Sequence, residues 1–334
     1  MVHFQVGREG RNENLLGRLW RFVTSPIYLA LKIQTVKPAI VHLNTSMDPK
    51  AFWRDTVYLL VASSLGIRTV YQIHGGELPH NFFKGKKILE AILRKVLQIP
   101  DAVVVLARIE KSAYQKFVRS RRLAIIPNAV DFRDYRHSKE KDFNTDILQL
   151  AYIGRLASVK GIMNVIEAMD ILKNQWGHKN IHFNIAGLGP DEEYLKKKVV
   201  ELGLHKEVRF LGPLFGKHKK KFWQNAQIFV FPTYHDEGLP YAVLESIASG
   251  TPLITTHVGG ISDVVKNMDH GLFVEPHNSI GIAKAILQMY KDKRQLKKMS
   301  LNCIEKAKKN YSVERLANQF KMLYRQVLEK EKNL

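Results

Sequence analysis

Short apolar runs ending in glycine, proline or asparagine alternate along this chain with segments whose apolar residues recur at helical spacing. This alternation is typical of parallel α/β domains, in which helices cover both faces of a sheet. Strands are predicted in the first half at VHFQVG, AIVHLNT, TVYQIHG, AVVVLA and LAIIPN. Strands are predicted in the second half at LQLAYIG, HFNIAG, VRFLGP, IFVFPT, PLITTH and GLFVEP. The pattern therefore predicts two doubly wound α/β domains in tandem.

A polar and charged stretch, YRHSKEKDFNTD, separates the two series of strands near residues 135–146. It predicts an N-terminal domain over residues 1–140 and a C-terminal domain over residues 147–310. Residues 311–334 have the pattern of one amphipathic helix with a charged tail, which we expect to pack back toward the first domain. A length of 334 residues suits two domains of ordinary size.

The charge of the chain is unusual, because 52 Lys and Arg against 31 Asp and Glu give a formal net charge of +21. The excess is concentrated in residues 84–122, where KGKKILEAILRKVLQ predicts a basic amphipathic helix with Ile88, Ile92, Leu93 and Val96 on one face. Peripheral contact with an anionic membrane would explain this pattern, and anionic metabolites or a solvated basic face are alternatives. No RNA-binding motif or zinc-finger spacing accompanies the charge, so nucleic acid is not favoured.

Two further features bear on the cellular compartment. The single cysteine, Cys303, argues against a disulfide framework. No segment reaches the roughly 18 apolar residues that a membrane-spanning helix needs. These features predict a cytoplasmic protein, with attachment at the inner face of the cell membrane as a further expectation.

The stretch FPTYHDEGLPYAVLESIASGTP follows a predicted strand, and ligands of open parallel sheets bind where strands end. Pro240 suits a first helical position and Gly250 a left-handed position after the last turn, so the helix is predicted as YAVLESIAS. The amides of Gly238, Leu239 and Tyr241 then lie at a helix N-terminus, where the unpaired N–H groups and the helix dipole favour a phosphate.

Two glutamates flank this helix start. Glu245 lies about 7.5 Å along the helix from the amides, and its carboxylate suits two neighbouring ribose hydroxyls. Glu237 lies in the turn itself, on the far side of the phosphate. The turn IGRLASVKG adds Arg155 and Lys160, a planar and a mobile cation that suit a diphosphate. The set predicts a site for a nucleotide diphosphate that carries a sugar.

The runs GRLASVKG, GLGPDEEYL, VRFLG, FPTYHDEGLPYAVLE, SGTPLITTHVGGISDVV and HGLFVEP, in this order, resemble the donor domain of retaining glycosyltransferases of family four. The similarity extends over nearly all of residues 37–334. It implies the GT-B fold, in which two Rossmann-like domains face a cleft, and an E-x7-E motif formed here by Glu237 and Glu245.

The resemblance assigns roles to the charged residues of the second domain. Arg155 and Lys160 would bind the donor diphosphate. Glu245 would bind the ribose, and Glu237 the hydroxyls of the transferred sugar near its anomeric carbon.

It also assigns roles to less distinctive residues. Gly238 and Leu239 would present amides to the phosphates, and Phe210 and Leu211 would lie beside the base. His74, at the end of a predicted strand of the first domain, matches the histidine that faces the sugar from the acceptor side.

The implied activity is transfer of a sugar from a nucleotide diphosphate sugar to a glycan or lipid-linked acceptor with retention of configuration. Synthesis of a glycan, a glycolipid or a cell-surface polysaccharide is the expected setting. The chain contains no Asp-x-Asp, which favours a reaction without a metal or other cofactor.

The chain also departs from the family pattern. Ala129 replaces a usual glycine, and Leu106–Arg108 replaces a usual Ser-Glu. The family's initial strand, glycine-rich loop, helix and second strand, about 50 residues at typical element lengths, are expected to be missing, which leaves the first domain incomplete.

An inactive, truncated relative that keeps nucleotide binding is therefore an alternative. An NAD-dependent oxidoreductase is less favoured, because Gly187 and Gly189 are not followed by the third glycine of the dinucleotide-binding motif. A nucleotide-sugar epimerase is less favoured because the E-x7-E arrangement argues for transfer of the sugar.

Overall fold

The computed structural model describes residues 1–6, 14–119, 122–135, 141–235 and 238–329. The chain divides into two compact units. The first comprises Met1–Ile126 together with Asn318–Leu334, and the second comprises Pro127–Ala317. The described residues of the stretch 135–146 thus belong to the second unit. The last helix begins in the second unit, and its residues from Asn318 onwards belong to the first.

The first unit contains a parallel sheet with the strand order β1-β2-β3-β4. Its strands are β1 Ile40–Met47, β2 Arg68–Gly76, β3 Ala102–Val105 and β4 Leu123–Ile125. Its helices are α1 Leu15–Val36, α2 Pro49–Ser64, α3 Pro79–Phe82, α4 Lys87–Gln98 and α5 Arg108–Phe117. The four strands match four of the five predicted for this half of the chain.

The remaining prediction, a strand at VHFQVG, is wrong for its described residues 2–6, which have no regular structure; Gly7 lies outside the described residues. Phe4 and Val6 pack instead against a small apolar cluster between α1 and α2. The carbonyl of Val6 accepts a hydrogen bond from Arg21 rather than from a neighbouring strand. Alternating apolar residues can thus be partly covered by two helices without a partner strand.

Helix α4 packs on the core with three of the four residues predicted for its buried face, Ile92, Leu93 and Val96. Leu93, Val96 and Leu97 are buried in the main core of the first unit. Ile88 is 78% exposed, which corrects its placement on the buried face. The buried stripe is centred near Leu93, so Leu89, one residue after Ile88, is the first member of the stripe to pack on that core.

The second unit contains a parallel sheet with the order β10-β9-β8-β5-β6-β7, and its six strands confirm the six predicted. The strands are β5 Leu148–Ile153, β6 Ile181–Ala186, β7 Val208–Phe210, β8 Ile228–Phe231, β9 Leu253–Thr255 and β10 Gly271–Phe273. Read from β7, this is the order 3-2-1-4-5-6 of dinucleotide-binding folds. The order reverses between β5 and β8, where such folds open a crevice.

The helices of the second unit connect and cover these strands. They are α6 Ile162–Asp170, α7 Glu192–Glu201, α8 Gly216–Asn225, α9 Tyr241–Ala248, α10 Ile261–Val264, α11 Ser279–Lys291 and α12 Lys293–Asn310. A π-helical segment, Ile171–Gln175, extends α6. Helix α13, Val313–Leu328, follows as the single predicted C-terminal helix. Among the described residues, no helix is both long and apolar enough to cross a membrane.

His42 of β1 is enclosed by the part of α13 that belongs to the first unit. Its Nδ1 lies 2.6 Å from the hydroxyl of Tyr324, and its ring centre lies 5.1 Å from that of Phe320. Its Nε2 is buried and has no hydrogen-bond partner among the described residues. Burial lowers the pKa of His42 from 6.5 to about 4.

This lowered pKa predicts acid sensitivity of the first unit. Between pH 6.5 and 4 the unfolded chain binds a proton at His42 that the folded chain does not, so the free energy of unfolding falls as the pH drops. One proton contributes at most about 1.4 kcal/mol per pH unit. We expect His42→Gln to flatten this dependence, measured by urea unfolding at pH 7.5, 6.0 and 5.0.

The matched control is His80→Gln, because His80 is exposed on α3. This variant should keep the pH dependence of the natural chain. Equal slopes for the natural chain and the His42→Gln variant between pH 6.5 and 5 would contradict the assignment.

Candidate functional site

The loops at the carboxyl edge of the second sheet are tied together by backbone hydrogen bonds. Leu156 after β5 donates to the carbonyl of Leu188 after β6, at 3.0 Å. Tyr234 after β8 donates to the carbonyl of Val159, also at 3.0 Å. The turns that follow β5, β6 and β8 therefore form one continuous rim at the point where the strand order reverses.

Glycines permit this close approach. Gly187, at the end of β6, has φ 130°, and a Cβ built on it would lie 1.9 Å from the carbonyl oxygen of Gly154. Gly161, after the β5 turn, has φ 70°, and its Cβ would lie 2.1 Å from the carbonyl oxygen of Pro232. Real Cβ atoms cannot come this near to backbone oxygen, so both positions require glycine.

The turn after β5 carries the two predicted phosphate-binding cations. Arg155 is exposed and its guanidinium makes no hydrogen bond or ion pair within the described residues. Lys160 is half-buried at the end of a 3-10 helix, Ser158–Lys160. Because β5 and β8 are paired and their turns are hydrogen-bonded, these cations lie in the rim that also contains the start of α9.

Helix α9 begins close to its predicted position. Pro240 is the N-cap residue, with φ −63° and ψ 131°, rather than the first helical residue, and the helix starts at Tyr241, the first residue of the predicted YAVLESIAS. Gly250 is left-handed with φ 68°, as predicted. Leu239 is 4% exposed, and its carbonyl accepts a hydrogen bond from the buried side chain of Asn128 at 2.9 Å. The start of the helix is therefore held in place by a residue far away in sequence.

The amides at this helix start are available to a ligand. Among the described residues, no backbone or side-chain acceptor receives the N–H groups of Gly238, Leu239 or Tyr241. The carbonyl of Gly238 accepts from Gly260 at 2.9 Å, which connects this turn to the loop after β9. Unpaired N–H groups at the positive end of a helix form a site for an anion.

Glu245 is buried in the middle of α9, with 6% of its surface exposed. Its Oε1 lies 2.5 Å from the Nζ of Lys219, and its Oε2 accepts a hydrogen bond of 3.1 Å from the indole of Trp223. Tyr135 lies beside the same carboxylate, and burial together with that negative charge raises the pKa of its hydroxyl. Glu245 is thus a fixed, charge-compensated carboxylate rather than a surface one.

The other predicted site residues fall into three groups. Glu237 lies outside the described residues. Phe210 is half-buried and Leu211 is 42% exposed at the end of β7, where the Leu211 amide donates to Ile185. His74 lies at the carboxyl end of β2 in the first unit, exposed, with its Nε2 3.0 Å from Oδ1 of Asn44.

Sequence reasoning missed Lys219, Trp223 and Asn128. A usable signal existed for the first two, because residues 219 and 223 are one turn apart on the same face of α8. No local signal pairs Asn128 with Leu239, which is 111 residues later.

Comparison with protein families identifies the chain. Residues 134–310 match the family model of glycosyl transferases group 1, which covers more than half of the chain. The chain belongs to this family. Residues 4–134 match the model of glycosyltransferase family 4, so the two matches together extend from the first unit through the second.

Curated relatives of this glycosyltransferase are similar over about half of its length. An uncharacterized glycosyltransferase of Methanocaldococcus jannaschii is 32% identical over 149 residues, which is 44% of this chain and 37% of that protein. A D-inositol 3-phosphate glycosyltransferase of Corynebacterium efficiens is 30% identical over 179 residues, 52% of this chain and 42% of that protein. The chain thus spans less than half the length of either relative.

Solved structures share the fold over most of the chain. Sucrose-phosphate synthase of Thermosynechococcus elongatus has a TM-score of 0.78 at 18% identity and covers 98% of this chain and 83% of its own. Anabaena HepE in complex with UDP has a TM-score of 0.77 at 17% identity and covers 94% of this chain and 85% of its own. The fold is GT-B, as predicted, with two α/β units that each contain a parallel sheet.

The close approach at Gly187 predicts a strong local requirement for glycine. We expect Gly187→Ala to lower the free energy of unfolding by about 2–4 kcal/mol, because the new Cβ must displace backbone at the carboxyl edge and φ is strained. Denaturant unfolding, followed by intrinsic fluorescence, measures this change.

Gly203→Ala is the control, because Gly203 also has a positive φ, 66°, but no atom lies within 4 Å of its Cβ position. This variant should lose only about 1 kcal/mol, the cost of the left-handed backbone alone. Equal losses in the two variants would contradict a packing role for Gly187.

Proposed function

We propose that this chain transfers a sugar from a nucleotide diphosphate sugar to an acceptor hydroxyl with retention of configuration. Synthesis of a glycan, a glycolipid or a cell-surface polysaccharide is the proposed setting. Membership of the glycosyl transferases group 1 family supports the reaction class. Anabaena HepE forms complexes with UDP and with UDP-glucose, which supports a nucleotide sugar as the donor.

The amides at the start of α9, which have no acceptor among the residues that the structure describes, carry this proposal. They lie in the same hydrogen-bonded rim as Arg155 and Lys160, at the switch point of the sheet where nucleotides bind in related architectures. A diphosphate placed there would meet N–H groups, a planar cation and a flexible cation together. Few anions other than a diphosphate would use all three kinds of donor.

The chemistry then depends on stabilising the leaving group. As the bond between the anomeric carbon and the diphosphate oxygen breaks, negative charge builds up on the diphosphate. Arg155, Lys160 and the helix amides would stabilise that charge without a metal ion. The acceptor oxygen forms the new bond on the same face of the sugar, and its proton passes to the departing phosphate.

The remaining residues would bind the two ends of the donor. Glu245 would accept the ribose hydroxyls, and Phe210 and Leu211 would flank the base. Glu237 would contact hydroxyls of the transferred sugar and His74 would serve the acceptor side, both as the resemblance implies. The acceptor itself is proposed to be a glycan or a lipid-linked molecule.

We expect Arg155→Ala and Lys160→Ala each to lower turnover by about 10² to 10³, the usual effect of losing one preorganised donor to a developing negative charge. Product release from UDP-, GDP- and ADP-sugars, tested with a panel of acceptors, measures turnover. Proton NMR of the product reports the anomeric configuration, and EDTA should leave the rate unchanged.

Arg294→Ala is the control, because Arg294 is an exposed arginine on α12, outside the loops at the carboxyl edge of the sheet. Full turnover in Arg155→Ala would contradict the proposed role of Arg155 in stabilising the departing diphosphate. Nucleotide binding in a thermal-shift titration, without transfer to any acceptor, would favour the alternative of an inactive relative that keeps the nucleotide site. Inversion of configuration would contradict the proposed stereochemistry.

We also propose that residues 84–122 hold the chain on an anionic membrane. Lys84, Lys86 and Lys87 are exposed beside the exposed Ile88, which gives a small basic and apolar patch at the start of α4. Arg94 does not belong to this patch, since its guanidinium lies 4.0 Å from the ring centre of Phe117. A lysine near an anionic membrane surface contributes about 1 kcal/mol to binding.

Sedimentation with vesicles tests this contact. We expect replacement of Lys84, Lys86 and Lys87 by glutamine to weaken binding to vesicles with anionic lipid by about 10²-fold, at roughly 1 kcal/mol per lysine. Replacing Lys217 and Lys221, exposed lysines of α8, is the control. Equal binding of the natural chain to neutral vesicles would contradict an electrostatic contact.

A further inference from the structure

The carboxylate of Glu245 is held by a neighbouring helix. Lys219 and Trp223 both come from α8, one helical turn apart, and each bonds a different oxygen of Glu245. The Glu245 side chain is 8% exposed and that of Lys219 is 30% exposed, whereas Trp223 is fully buried. The pair therefore fixes the carboxylate between α8 and α9, with Lys219 on the solvent side.

The number of hydrogen bonds leaves room for a ligand. An ionised carboxylate has about four lone-pair positions, two on each oxygen. One position on Oε1 is used by Lys219 and one on Oε2 by Trp223. The hydroxyl of Tyr135, half-buried in a loop, also hydrogen-bonds this carboxylate, so a ligand that takes this lone pair must displace the tyrosine. With Tyr135 displaced, one lone-pair position remains on each oxygen, which matches two hydroxyls on neighbouring carbons better than it matches a single donor.

Trp223 is a rigid donor. Its ring packs edge-to-face against Phe229 of β8 at 5.2 Å between ring centres, and against Phe222 at 5.3 Å. The indole has a single N–H group, and burying it without an acceptor would cost free energy. Because the ring cannot turn in this packing, the direction of its N–H sets the position of Oε2.

We propose that Trp223 and Lys219 are positioning residues of the nucleotide site, which orient Glu245 so that both of its oxygens accept hydrogen bonds from the 2′ and 3′ hydroxyls of a ribose. This inference rests on the proposed function, since it takes a nucleotide as the ligand. Its specific consequence is selection of a ribonucleotide over a 2′-deoxyribonucleotide, a property that depends on the orientation of one carboxylate.

Isothermal titration calorimetry with UDP and 2′-deoxy-UDP tests the inference. The guanosine and adenosine pairs are titrated in parallel, and the base that binds the natural chain most tightly is used for the variants. The natural chain should prefer the ribonucleotide by about tenfold, the usual effect of one hydrogen bond to a charged group. Trp223→Phe should reduce this preference to about twofold or less, while binding of pyrophosphate stays unchanged.

Matched variants separate positioning from general damage. Trp176→Phe removes an indole that is 38% exposed at the end of the π-helical segment, and it should keep the tenfold preference. Lys219→Gln should reduce the preference as Trp223→Phe does, because a shorter neutral side chain no longer holds Oε1. Lys221→Gln, the same change on the exposed face of α8, should not.

The possible outcomes are distinct. A loss of ribonucleotide preference in Trp223→Phe and in Lys219→Gln, but in neither control, supports the inference. A preference that stays at tenfold in both, or affinities for the two nucleotides that fall equally, overturns it and leaves the proposed function intact. If Trp223→Phe does not fold, the Lys219 and Lys221 pair decides alone. No binding of any nucleotide by the natural, folded chain overturns the proposed function and this inference together.

Discussion

The close backbone contact between the ends of β5 and β6 is the constraint on which the candidate site depends. The carbonyl of Gly154 occupies the space that a side chain at residue 187 would need. Because of this contact, the loop after β5 lies flat against the loop after β6, and Leu156 can pair with Leu188. Arg155 and Lys160 are placed by this arrangement, so their position is a property of the backbone.

The same rim explains why the start of α9 is exposed to a ligand. The loops after β5, β8 and β9 bond to one another through Val159, Tyr234, Gly238 and Gly260. These bonds use carbonyl groups of the rim, and in the described part of the chain no acceptor receives the amides at the helix start. A cost arises because unpaired amides are unfavourable unless solvent or a ligand satisfies them. A phosphate bound there, as proposed, would remove this cost.

The sequence predicted the second unit more fully than the first for a physical reason. Strands such as β8 are buried on both faces, so their apolar runs are continuous and bounded by turn residues. The segment 2–6 has the alternation of a strand, but two helices bury Phe4 and Val6 without a ladder. Alternation of apolar and polar residues with a period of two therefore suits a strand, but it also occurs in a segment that is not a strand. Similarly, helical spacing alone gives the middle of the apolar stripe of α4 but not its end, and packing on the core includes Leu89 and excludes Ile88.

The candidate site was predictable in its residue types and less so in its partners. The proline and glycine that bound the helix, together with the helical rise per residue, place Glu245 at a defined distance from the helix start. These signals act within a few residues, so the sequence is enough to predict this distance. Its contacts with Lys219 and Trp223 span 26 and 22 residues and depend on how α8 crosses the sheet.

Burial of Glu245 before any ligand arrives has a consequence for recognition. A carboxylate in water must lose part of its hydration and its rotational freedom when it binds a diol. In this chain the fold has already removed most of that water, and Lys219 and Trp223 compensate the charge and fix the orientation. The loss of hydration and of rotational freedom therefore takes place during folding and does not weaken the binding of a ligand. In the proposed contact, a ligand that supplies two correctly spaced hydroxyls would complete the hydrogen bonds of Glu245, whereas one that lacks a hydroxyl would leave a buried oxygen partly unsatisfied. Selectivity at such a site follows from the unsatisfied oxygen more than from the bond that is formed.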